Sequence, residues 1–149
     1  MDGVLVTAAS CALAGGAHYT RPKCVVIEKL RLFDDFVRET GCRVVLSSSW
    51  RINQFEGIKT MFKELGASFE LHDKTPSGSE MVGSLYIGRL RGNEIREWMD
   101  KHNVTSQNVV IFDDSDDMDD LLDRLVQTTW ENGLETPHIE TARRLLGFA

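Results

Sequence analysis

Apolar and polar positions along the chain follow two alternating periods. Val26, Leu30, Phe33 and Val37 recur at helical spacing, and Gly41 follows them where a left-handed closing residue belongs. The spacing predicts a helix ending there. Arg43-Val44-Val45-Leu46 is then a short apolar run, read as a buried strand, that ends in Ser47-Ser48-Ser49. Phe55, Ile58, Phe62 and Leu65 mark a second helical face, closed by Gly66. Ser68 to Leu71 alternates weakly and reads as another strand, and Ile95, Trp98 and Met99 mark a third helix. Val109-Val110-Ile111-Phe112 is the clearest buried strand and runs directly into Asp113-Asp114. Met118, Leu121, Leu122 and Leu125 predict a helix, Val126-Gln127-Thr128 a last strand, and Ile139, Ala142 and Leu146 a closing helix. Such alternation predicts an α/β fold with a mainly parallel sheet.

Two stretches break the pattern. Lys74 to Gly88, with Thr75-Pro76-Ser77-Gly78 inside it, has no clear period and is expected to be a long loop, functional or mobile. Met1-Asp2-Gly3-Val4-Leu5 has the character of a strand exit, yet no strand precedes it. At 149 residues, without an internal repeat or low-complexity linker, residues 1–149 are expected to form one domain. A formal net charge of -6 argues against a broad nucleic-acid surface, which the phosphate backbone would repel. No run approaches the ~20 apolar residues of a membrane span. The small apolar residues from Val4 to Ala17 follow Asp2 rather than a basic start, unlike a secretory signal. Cys11, Cys24 and Cys42 are unpatterned, as expected of free thiols in a reducing compartment, so a cytoplasmic location is expected.

In open parallel sheets, ligands bind beyond the carboxyl ends of the strands. Asp2, Ser47 and the pair Asp113-Asp114 all stand at such ends, so a shared crevice is expected. Asp113, Asp114, Asp116, Asp117, Asp119 and Asp120 crowd carboxylates together, and a hard divalent cation relieves that repulsion. Asp116, Asp117 and Asp119 also fit the acidic first turn of a helix, stabilised by its dipole. Asp113 and Asp114 end a buried strand, where an unpaired carboxylate is costly, and are the stronger candidates. Ser47 leaves its strand where a hydroxyl can meet a phosphate oxygen, while Ser49 reads as a helix cap. Arg91, before Gly92 at the opening of the third helix, can balance phosphate charge or form an ordinary salt bridge. Trp50-Arg51 can stack on a base or a sugar, and structural packing is the stronger reading for Trp50. His18, His72, His102 and His138 show no zinc-ligand spacing.

Together these segments resemble the haloacid dehalogenase (HAD) superfamily, in the order of its motifs: Asp-Gly-Val-Leu, a strand ending in serine, a basic residue before a helix, and a strand ending in Asp-Asp. The resemblance is nearest to the HAD domain of Swiss-army-knife RNA repair proteins. It is carried by Leu46-Ser47-Ser48-Ser49-Trp50-Arg51, Arg91-Gly92-Asn93-Glu94-Ile95, Phe112-Asp113-Asp114-Ser115-Asp116, and Val126-Gln127-Thr128 with Gly133-Leu134. It implies a three-layer sandwich with little or no cap; a cap within Thr7 to Lys23 is the remaining candidate. It also implies a Mg2+-dependent phosphohydrolase. In that chemistry an aspartate at the tip of the first strand attacks phosphorus, and a second aspartate two positions later serves as acid and base. Asp2 matches the second aspartate. Ser47, with Ser48 beside it, matches the phosphate-binding hydroxyl, and Arg91 matches the basic residue that stabilises the phosphorane charge. Asp113 matches the metal-binding carboxylate, with Asp114 as second ligand or orienting group.

The attacking aspartate and the first strand would precede Met1. Two expectations follow: a natural start upstream of Met1, or a truncated chain that is catalytically dead or half of an exchanged dimer. The functional expectation is a phosphohydrolase acting on a phosphorylated small molecule or a nucleic-acid end, inactive as written. The alternative is a non-catalytic module that binds phosphate or a protein partner on the same fold.

Overall fold

The computed structural model describes residues 1–15, 21–82 and 85–148. Met1 to Thr7 form a compact turn in which the Met1 carbonyl accepts the N–H groups of Val4, Leu5 and Val6. The short helices α1 (Ala8–Leu13) and α2 (Arg21–Cys24) follow, and residues 16–20 of the cap candidate lie outside the described set. Next comes α3 (Ile27–Thr40), closed by Gly41 at φ 67°, as its spacing predicts. β1 (Val44–Leu46) leads through a 3-10 turn at Ser49–Arg51 into α4 (Phe55–Glu64), and β2 (Leu71–Lys74) lies parallel to β1. β3 (Ser79–Val82) and β4 (Leu85–Gly88) precede α5 (Arg91–Lys101). β5 (Ile111–Asp113), a 3-10 segment at Asp119–Arg124, β6 (Leu125–Gln127) parallel to β5, and α6 (Thr136–Leu145) complete the chain.

The fold is α/β in three layers, and β5 shows how the layers form. Successive strand side chains point to opposite faces. Ile111 packs with Ile95 and Met99 of α5 and with Met118 and Leu121. Phe112 turns the other way and meets Phe33 and Phe36 of α3 edge-on, with centroids 5.7 Å apart in both pairs. That second face continues through Phe69, Phe62 of α4, Leu134 and Ile139 of α6. The strands form two parallel half-sheets, β1-β2 and β5-β6, and one separate antiparallel pair, β3-β4. Among the described residues, no strand joins the two half-sheets.

Two expectations need correction. The stretch from Lys74 to Gly88 is not a loop: Lys74 ends β2, and Ser79 to Val82 pairs antiparallel with Leu85 to Gly88. Backbone pairing across a short hairpin supplies order that side-chain periodicity does not reveal. The Met118–Leu125 pattern forms a 3-10 segment rather than an α-helix. Its first residue, Asp119, sits at φ 52°, in the left-handed region that α-helix excludes.

Asp73, in β2, makes one pH dependence readable. Burial pushes its carboxyl up, but the Trp98 indole N–H (2.7 Å), the Lys74 backbone N–H and the charges of His102 and His72 outweigh it, leaving the pKa below 3.8. A carboxyl depressed by folding contributes stability above its unfolded value, and this is lost as pH falls through the folded value. Denaturation curves between about pH 5 and pH 3 should therefore flatten in Asp73→Asn relative to the parent.

Candidate functional site

The carboxyl ends of β1 and β5 meet through one side chain. Arg91 opens α5, and its guanidinium donates through Nη1 to the Ser47 carbonyl at the exit of β1. Its Nε lies 3.2 Å from Asp113 Oδ2, an ion pair not aligned as a hydrogen bond. The backbone N–H of Arg91 donates to Asp117 Oδ2 (3.2 Å), so the acidic loop caps α5 from outside the helix. Asp117, read from the sequence as a first-turn acid of its own segment, therefore serves the start of a different helix.

Gly92 makes this closeness possible. A Cβ there would stand 2.0 Å from the Met118 carbonyl oxygen, and Gly92 N–H donates to the Asp117 carbonyl at 3.0 Å. Gly3, at φ 65°, has a similar role, because a Cβ there would lie 2.3 Å from Asp114 Cγ. The Met1–Thr7 turn is thus pressed onto the Asp113-Asp114 corner. Thr128 fastens it from beneath: its hydroxyl donates to the Gly3 carbonyl and its N–H to the Asp113 carbonyl.

Asp2 enters the same crevice. Its Oδ2 accepts the Trp50 indole N–H at 3.0 Å, and its Oδ1 is buried with no hydrogen-bond partner. The Met1 backbone nitrogen is buried, with Asp113 and Asp2 within its electrostatic reach. Arg91 and Asp114 are also within its electrostatic reach. For Asp113, burial raises the pKa most; the Ser115 N–H (3.0 Å) and Arg91 oppose the rise.

Beneath the crevice, Arg51 holds the loops. Its five donor contacts go to the carbonyls of Thr75 (3.0 Å), Ser47 (2.5 Å), Ser48 (2.9 Å) and Pro76 (2.8 Å) and to Glu94 Oε2 (2.6 Å). Burial lowers the pKa of this guanidinium, and Glu94 offsets the effect. Glu94 also accepts the Gly78 N–H at 3.3 Å. From the sequence alone, Arg51 reads only as part of a stacking platform beside Trp50, and Glu94 carries no role. Nothing in local periodicity marks either residue; only their presence in the two motif strings does.

The structure therefore brings Asp2, Ser47, Arg91, Asp113 and Asp114 to one edge. Ser48 is buried and its hydroxyl accepts the Trp50 N–H at 3.3 Å, so the capping expected of Ser49 falls to Ser48. The chain matches, over residues 1–139, the family described as the HAD domain in Swiss Army Knife RNA repair proteins. The chain belongs to that family. A phosphohydrolase-type HAD domain is what membership implies. No curated protein and no solved structure matches it. No helix among the described residues is long and apolar enough to cross a membrane.

HAD domains generally use Mg2+. Among the described residues, no group of three or more His, Cys, Asp or Glu could hold a metal ion. Mg2+, however, is commonly held by one or two carboxylates together with waters and substrate phosphate oxygens. Asp113 and Asp114 meet that smaller requirement, and the orphaned, buried Oδ1 of Asp2 leaves a further oxygen free at the same corner.

Proposed function

We propose that this HAD domain is a Mg2+-dependent phosphohydrolase site for a phosphomonoester, with a nucleic-acid 5′ or 3′ phosphate as the favoured substrate class. The observation that supports it is the meeting of Ser47, Arg91 and Asp113 at the ends of two half-sheets, with Asp2 beside them. In this reading the Ser47 hydroxyl donates to a phosphate oxygen. Arg91 turns part of its charge from Asp113 to the oxygens that become more negative as phosphorus is attacked. Asp2, steadied by the Trp50 indole, transfers a proton at its free Oδ1. Magnesium, held by Asp113 and Asp114, would neutralise phosphate charge. In the chemistry of the HAD fold the attacking aspartate stands two positions before the acid–base aspartate, for which Asp2 is the match in this reading. The polynucleotide substrate is supported by the family's RNA repair context; a cleft of about 440 Å³ beside Arg91 is lined also by Arg51, Arg89, Ser77, Glu94 and Asp117.

The test has two arms. In residues 1–149, inorganic phosphate with Mg2+ should raise the melting temperature, because a ligand bound only by the native state stabilises it. Ser47→Ala and Arg91→Ala should each remove most of that shift. A variant extended by an apolar strand ending in aspartate immediately before Met1 should release phosphate from an aryl phosphate, dependent on Mg2+. Absence of both release and a beryllium fluoride-trapped state would sink the enzymatic reading. A thermal shift without release would instead identify a phosphate-binding module.

A further inference from the structure

The outer side of β2 carries charge that the crevice does not use. Successive strand side chains point to opposite faces. Asp73 meets the Trp98 indole of α5 at 2.7 Å, so Lys74 turns to the other face, where α4 begins. There its ammonium stands 5.4 Å from the centroid of the Phe55 ring. Lys59 lies one helical turn after Phe55, and its ammonium stands 5.5 Å from the same centroid. One ring thus gathers two positive charges.

The ring does not neutralise them. A cation–π contact at an exposed site is worth about 0.5–1 kcal/mol. Glu56 lies 3.9 Å from Lys59, but its side chain is 84% exposed, so water screens the pair. Among the described residues, no carboxylate forms an ion pair with Lys74, which is itself exposed. Both ammonium groups are therefore open to an anion.

Their position relates them to the strand-end crevice. In the β1-β2 register Lys74 is the partner of Leu46, the residue before Ser47. The cleft beside Arg91 lies along the same two loops: Ser49 and Ile52 bound it from the segment that runs on to Phe55, and Ser77 from the segment that leaves Lys74. Ile52 is 48% exposed, an apolar surface among charged and hydroxyl groups. On the other side of Ser47, beyond Asp113, the exposed carboxylates of Asp116 and Asp119 repel any further phosphate. An anionic chain with its end at Ser47 therefore leaves across β1 toward β2.

We infer that Lys59 and Lys74 bind an internal phosphodiester of a single-stranded polynucleotide whose terminal phosphate lies at Ser47, with Ile52 against the sugar and base between them. The site deepens the phosphohydrolase reading and rests on it, because that reading puts the terminal phosphate at Ser47. The track is one chain wide: a duplex would bring its second phosphate backbone against the acidic loop. A mononucleotide reaches Ser47 but not the lysines.

Calorimetric titration of residues 1–149 in Mg2+ tests this with two probes, hexauridylate carrying a terminal phosphate and uridine monophosphate, each in 5′ and 3′ forms. The hexanucleotide should bind at least about ten-fold more tightly, and Lys59→Gln with Lys74→Gln should remove that advantage. The double variant should also flatten the dependence of log affinity on log salt by about 1.4, at ~0.7 per phosphate contact. Lys59→Arg with Lys74→Arg should keep the advantage, and Lys101→Gln, at the far end of α5, should not alter it. A hexanucleotide bound no better than the monophosphate, an advantage that survives the double glutamine variant, or an equal loss in Lys101→Gln overturns the inference. Equal affinity for the duplex with hexaadenylate overturns it as well, and equal affinity for hexaglutamate does so by identifying an acidic peptide partner. If neither Ser47→Ala nor removal of the terminal phosphate changes hexanucleotide binding while the lysine variants do, the terminal-phosphate reading fails and the lysine site stands.

Discussion

Replacing Arg51 with methionine is expected to cost about 3–5 kcal/mol of folding stability, the range for removing one partner of a buried ion pair. Its side chain is 4% exposed and that of Glu94 is 9% exposed, so water replaces little of what is lost. The double variant Arg51→Met with Glu94→Met separates two contributions. In most buried pairs, replacing both partners with apolar residues restores much of the stability. Here it should restore only part, because the carbonyls of Thr75 and Pro76 lose their donor in either variant, while those of Ser47 and Ser48 keep only Arg91 and the residue-51 backbone N–H. Arg51→Lys should also fall short, since an ammonium brings three donors to five acceptor contacts. Urea denaturation of the four proteins reads this directly; full recovery in the double variant would reduce Arg51 to a simple ion pair.

The second large effect is expected at Gly92. Alanine there would place its Cβ 2.0 Å from a backbone oxygen, which no rotamer change relieves. The loop carrying Met118 or the first turn of α5 must move, at a cost at or above the ~3 kcal/mol upper end of ordinary overpacking. Either movement separates Arg91 from Asp117 and Asp113. Gly92→Ala should therefore lose phosphate-induced thermal stabilisation as well as stability. Gly57→Ala, with nothing within 4 Å of the new methyl, provides the control: inside α4 it should raise stability by about 0.5–1 kcal/mol and leave the phosphate-induced shift unchanged.

Much of the layered fold was legible because its helices each bury one face. The Val26–Val37 spacing with Gly41, and the Phe55–Leu65 spacing with Gly66, predict α3 and α4 closely. Where order comes from the backbone, the pattern is silent. The β3-β4 pair carries no alternation; its one sequence signal is Gly83-Ser84 between the paired Val82 and Leu85, a dipeptide of hairpin type. The acidic run was legible as chemistry but not as architecture. Asp113 and Asp114 stand where a strand-end reading puts them, whereas Asp117 caps a helix 26 residues earlier in the chain, through a contact that only Gly92 permits. The motif order brought Asp2, Ser47, Arg91 and Asp113 forward as candidates. The groups that hold them, the Trp50 indole, the Arg51 fork and Glu94, act across 24 to 48 residues of chain, beyond the reach of local spacing.

Arg91 joins the exit of β1 to the exit of β5, and so it acts as a strap across the seam between the half-sheets. A ligand that draws this guanidinium toward itself exchanges a direct tie for one that runs through the ligand. Affinity at the edge and the strength of this tie then become reciprocal quantities: whatever favours holding the two strand ends together must change the affinity by the factor by which the ligand, in turn, favours that arrangement.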